Sequence, residues 1–179
     1  MPYAVEYFRE GKRIVASCDV RGVELPVRLR GGMIRMYRWG SFGEEYVADE
    51  TPGLLHRWPE GAHVSLNTIR SGEWWQLKPQ PVKVAVAGFR VSHSKLGAPI
   101  GDWIRLKPGE FLQGALTQRL GDFRIYLVTT DPPEAHASVT DPWPRIVSAA
   151  NSRRRLGDEK GKFDEPEREA KRRARQERG

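Results

Sequence analysis

Cysteine is almost absent from this chain. Cys18 is its single example among 179 residues. No intramolecular disulfide can form, and no cysteine-based zinc cluster can be built. The four histidines, His56, His63, His93 and His136, show no close ligand spacing, so no metal and no other cofactor is expected. Long apolar runs are missing too. No stretch approaches the roughly 18 apolar residues of a membrane helix, and the opening "MPYAVEYFREGKR" is charged where a secretory signal would be apolar. The expectation is a cytoplasmic protein with no membrane partner. There is also no phosphate-binding glycine loop, nucleophile elbow or paired-histidine helix motif.

What the chain does have is charge. It carries 30 Lys+Arg against 23 Asp+Glu, a net +7. Residues 151–179 hold 11 of those bases and 7 of the acids, so the basic excess lies mostly there. That segment, "NSRRRLGDEKGKFDEPEREAKRRARQERG", has almost nothing apolar and cannot form a core. It reads as a charged tail, disordered or a solvated helix, and as a possible contact for a protein partner. Residues 1–150 read as one domain. A basic balance favours phosphate-bearing partners, as a weak prior.

Within 1–150 the pattern is mostly of strands. "PYAVEYF" and "IVASCDV" alternate around the turn "EGKR", and "VELPVRLR" and "MIRMYRW" flank a "GG" hairpin signal. Cys18 falls in the second strand, as a small buried hydrophobe. "HVSLNTI" reads as a short strand or turn. "VKVAVAGFRV" reads as one interior strand. "WIRL", "FLQGALTQRL" and "FRIYLVTT" follow, with "RIYLVTT" the clearest core strand. "DPPEAHASV" reads as a short helix capped by Asp131. The fold class is α+β: a β-rich single domain with a few short helices.

Two features carry functional weight. "RMYRWGSF" and "NTIRSGEWW" interleave arginines with tryptophans. Such pairing holds single-stranded nucleic acid, because guanidinium groups follow phosphates while flat rings stack on unpaired bases. The corner "VTDPWPRIV" places Trp143, too large to leave in water without a reason, between two prolines that forbid a helix.

The order of "RWG" (38–40), "LNTIR" (66–70), "VKVAVAGF" (82–89), "RIYLVTT" (124–130) and "DPWPRIV" (141–147) resembles that of the SOS response-associated peptidase (SRAP) family over roughly residues 23–147. The resemblance implies a distorted barrel with a few short helices and an association with single-stranded or damaged DNA. Family members sense abasic sites. A cysteine exposed by removal of the initiator methionine closes a thiazolidine on the sugar aldehyde, assisted by an asparagine, a glutamate and a histidine. Arg38, Trp39 and Gly40 match the early motif, Asn67 and Arg70 the middle one, and Asp141 and Pro144 the last. The cysteine position is Pro2, the glutamate position falls near Val91, and the histidine position is Thr140. Neither valine nor threonine can serve as a proton donor near neutral pH.

The resemblance therefore implies a binding groove with Arg38 and Arg70 on phosphate, Asn67 near the sugar and Trp39 stacking or shaping the loop. It also implies that the covalent chemistry is lost or altered. Two catalytic alternatives stay open. An N-terminal Pro2 amine could form a reversible iminium with an abasic sugar. His136, four residues before Thr140 on a helix, could replace the lost acid. A further alternative is a non-enzymatic protein-interaction module, favoured by the acidic "EEYVADE" beside the groove. An active peptidase is opposed by the missing glutamate and histidine. The expectation is that positions 2, 38, 67, 70 and 140 line one cationic cleft.

Overall fold

The computed structural model of the chain describes residues 4–41, 58–91, 102–119, 121–136, 139 and 142–149. Pro2, Thr140, the "EEYVADE" segment and the tail 151–179 lie outside them. Strand β1 (Ala4–Arg9) turns at Glu10–Gly11 into β2 (Lys12–Ser17), as the alternation predicts. Cys18 is buried as expected, but it sits in the turn after β2 and not within the strand. Strands β3 (Glu24–Arg28) and β4 (Ile34–Trp39) form the second hairpin around Gly31–Gly32.

"HVSLNTI" divides into β5 (His63–Ser65) and a short helix, α1 (Leu66–Ser71). Ser65 caps that helix by accepting the Thr68 N–H at 2.9 Å, which satisfies one of its orphan donors. Gly72, in the left-handed region, ends it and returns its N–H to the Ile69 carbonyl. A 3₁₀ turn, Trp75–Leu77, follows.

The run "VKVAVAGFRV" is not one strand. It splits into β6 (Gln80–Val84) and β7 (Gly88–Arg90), which belong to different sheets. Uniform hydrophobicity hides the break, because both halves face the same core. After it come β8 (Ile104–Arg105), β9 (Glu110–Arg119) and β10 (Asp122–Thr130). Of the helix expected over 131–139, the described residues form only a 3₁₀ turn, Glu134–His136. Pro132 and Pro133 remove two N–H donors there, and the chain must reach the corner soon after. The corner itself forms β11 (Trp143–Pro144) and then β12 (Ile146–Ser148).

Pairings β3–β4, β3–β6, β6–β9 and β9–β10 are antiparallel, and β10–β4 is parallel. They close a five-stranded barrel. Closure leaves no open edge within the ring. Leu25, Val27, Trp39, Val84, Leu112, Leu116, Ile125 and Leu127 are buried in its core cluster. A separate four-stranded sheet has the order β2-β1-β7-β8, and Val5, Tyr7, Ala16 and Phe89 join the same cluster. The domain is thus β-rich, with a single six-residue helix among the described residues.

The corner has a structural purpose. Trp143 is 5% exposed. Its ring meets Phe89 of β7 edge-on at 5.3 Å, while β11 pairs with Thr129 and Thr130 of β10. Trp143 therefore ties the four-stranded sheet to the barrel. No helix among the described residues is long and apolar enough to cross a membrane.

Candidate nucleic-acid interface

Trp39 does not stack on a ligand. It is 1% exposed, and its indole Nε1 donates to the Ala62 carbonyl at 2.9 Å. Its ring stands edge-on to His63 at 6.2 Å. Gly40 follows with φ of +64°, and a Cβ there would lie 2.4 Å from the Gly61 carbonyl oxygen. The residue must be glycine for two segments to meet, and Ser41 and Gly61 exchange hydrogen bonds there at 3.0 and 2.8 Å. So "WG" is a folding device. Burial also pulls the His63 imidazole down to about 4, which keeps it neutral at neutral pH.

Arg38 stays exposed on β4. Its neighbours in register are Glu24 on β3 and Arg124 on β10. Arg124 itself is buried; Asp122 holds it at 2.9 Å, and its guanidinium lies 5.5 Å from the centre of the Trp58 ring. Asn67 and Arg70 are both exposed on α1, and a spacing of three puts them on one face of that helix. Arg38 pairs at Arg124 and Ser65 pairs at Thr129. At a rise of about 3.3 Å per residue, that places the two about 17 Å apart along β10. Arg38 and α1 therefore do not surround one sugar, although a strand of several nucleotides could touch both.

The exposed tryptophan nearest Arg70 in the chain is Trp75, since Trp39 is buried. Of the adjacent tryptophans, Trp74 packs edge-on against buried Tyr126 at 4.8 Å, and Tyr126 donates its hydroxyl to the Pro59 carbonyl at 2.9 Å. That anchors the segment to the barrel. Trp75 is left 69% exposed, unusual for a residue type that is mostly buried. Glu73, directly before the two tryptophans in the chain, accepts a hydrogen bond from Ser71 at 2.8 Å.

The expected catalytic set is not assembled among the described residues. Val91, at the glutamate position, is completely buried at the end of β7. His136 is not on a helix; its ring stacks on Trp143 at 4.7 Å and 27°. That ring contact accounts for His136 as part of the corner. Pro2 and Thr140 lie outside the described residues. No group of three or more His, Cys, Asp or Glu able to hold a metal occurs among the described residues.

A second arginine–tryptophan cluster went unread in the sequence. On the four-stranded sheet, the Glu6 side chain is 2% exposed, and each of its oxygens accepts from one arginine: Oε2 from Arg13 at 2.6 Å and Oε1 from Arg105 at 2.5 Å. These bonds, Arg13 foremost, hold the Glu6 carboxyl below its ordinary value against the opposing effect of burial. The guanidinium carbons of Arg13, Arg90 and Arg105 lie 5.9, 5.3 and 5.7 Å from the centre of the Trp103 ring. The register explains the convergence. Val15, Glu6, Gly88 and Arg105 form one row across the four strands. Arg105 reaches Glu6 by passing over Gly88, which has no side chain in the way. Four scattered positions, 13, 90, 103 and 105, make this cluster, and no local spacing announces it.

Comparison of the chain with family models, with curated proteins and with solved structures gives no match.

Proposed function

We propose that the protein binds single-stranded nucleic acid, damaged DNA included, along the outer barrel wall from Arg38 to α1. Arg38 and Arg70 contact phosphate, Asn67 hydrogen-bonds beside the sugar, and Trp75 replaces Trp39 as the stacking ring. The observation that carries this reading is the 69% exposure of Trp75 in the segment that directly follows α1, which carries the exposed Asn67 and Arg70. Base–aromatic stacking contributes about 1–3 kcal/mol per base. The abasic-site crosslinking chemistry of SRAP proteins is lost in this reading, because valine and threonine stand at the glutamate and histidine positions.

Fluorescence anisotropy with single-stranded oligonucleotides, with and without one abasic site, tests it at two salt concentrations. Trp75→Ala should weaken binding about 5- to 150-fold. Arg70→Gln should lower the salt slope by about one. Unchanged affinity in both variants overturns the reading. Intact-mass analysis of the same mixtures, with borohydride added, reports any adduct at Pro2; a trapped band would restore the reversible iminium chemistry.

A further inference from the structure

We infer that the exposed face of the four-stranded sheet is a second single-strand contact surface, gripping phosphate with the Trp103 arginines and stacking a base on Phe8. The first support is preorganisation. A guanidinium has five N–H donors, and Glu6 takes one from Arg13 and one from Arg105. The side chains of these arginines remain 53% and 56% exposed. Their heads are thus held in place while about half of each side chain stays open to solvent. Ordering long side chains is a main cost of binding, and here much of it is met before any ligand arrives.

The second support is the neighbour of Arg13. In the β1–β2 register Arg13 stands directly opposite Phe8, so the two side chains share a face. Phe8 is 61% exposed and Val15, beside Glu6, is 53% exposed. A flat ring in water next to a positioned cation is what unpaired bases and their phosphates require. Trp103 serves differently: its ring is already engaged by three guanidinium groups, so it aligns cations and leaves stacking to Phe8. Two acidic side chains flank this grip in the chain: exposed Asp102, directly before Trp103, and Glu10, at the hairpin end beside Arg9. This face is built from β1, β2, β7 and β8, and it does not depend on the α1 reading.

The test compares two double variants for a 30-nucleotide oligo-dT strand by anisotropy, with stoichiometry from native mass spectrometry. Phe8→Ala with Arg90→Gln alters this face without touching the arginines that hold Glu6. Affinity should fall at least about 10-fold, with a salt slope lower by about one, while the urea midpoint stays near that of the unmodified protein. Trp75→Ala with Arg70→Gln should leave this face able to bind. If only the α1 variant weakens binding, the sheet surface is overturned and the α1 reading stands. If only the Phe8/Arg90 variant does, the reverse holds. If a poly-glutamate peptide binds with the same Phe8/Arg90 dependence and oligo-dT does not displace it, the face serves an acidic protein and the inference is overturned. Should the variant fail to fold, photo-crosslinking of unmodified protein to bromodeoxyuridine strands decides. Adducts at Phe8 or Trp103 support the surface, and adducts confined to other residues overturn it.

Discussion

At the scale of the residue, three tryptophans that look alike in sequence have different physics. Trp39 lies inside the core with its Nε1 bonded to Ala62. Trp143 joins two sheets through Phe89. Trp75 faces water. Trp39→Ala should therefore cost about 3–5 kcal/mol in urea denaturation, through the cavity it leaves and the lost Nε1 bond to Ala62. Trp75→Ala should change stability by no more than about 0.5 kcal/mol while it weakens oligonucleotide binding. Equal effects on stability would show that Trp75 is a structural residue. Sequence could place arginines beside tryptophans, but which ring of a pair is buried depends on what packs beneath it. Here that is Tyr126 beneath Trp74, 52 residues further along the chain. The "RWG" motif was legible as a unit, yet its tryptophan and glycine serve folding and only its arginine remains a binding candidate.

At the scale of the element, the alternating strands were legible because period two survives wherever one face is buried. The break in "VKVAVAGFRV" was not, since Val84, Val86, Phe89 and Val91 are all buried on both sides of it. Gly88 marks the second half, and its bareness has a use. A Cβ at Gly88 would lie 2.7 Å from the Ile104 carbonyl oxygen and 3.5 Å from Cδ of Arg105. Gly88→Ala should push β7 from β8 at a cost of about 1–3 kcal/mol, lowering the urea midpoint. It should also loosen Arg105 from Glu6. The Glu6 network gives an ordering of effects. Removing both Arg13 and Arg105 strands a carboxylate that solvent hardly reaches, whereas Glu6→Gln releases two arginines that are already half in water. Loss of the arginines should lower the midpoint further than loss of the charge on Glu6. The opposite order would mean that Glu6 gains water when its partners leave.

At the scale of the whole molecule, His63 on β5 beside the barrel and Glu6 on the four-stranded sheet lie in separate places, and the two set separate responses to acid. The folded His63 imidazole titrates at about 4, against an ordinary 6.5. Its neutral form is favoured by the fold, so the unfolded chain takes the proton first as pH falls. Stability should then decline between about pH 6.5 and 4, by up to about 3 kcal/mol from this group, and show no further loss from it below that. Glu6 works from the other side. Its carboxyl is lowered from 4.5, so its contribution is complete above pH 4.5 and fades as pH drops through the folded value. Asp19, lowered from 3.8 through its bond from Ser17, adds to that lower range. Urea midpoints between pH 7 and 3 should show two consecutive declines. His63→Phe, which keeps a ring against Trp39, should flatten the first and leave the second. A His63→Phe profile that still falls between pH 6.5 and 4.5 would place the proton uptake elsewhere, and the barrel wall at His63 would then have to be open to water.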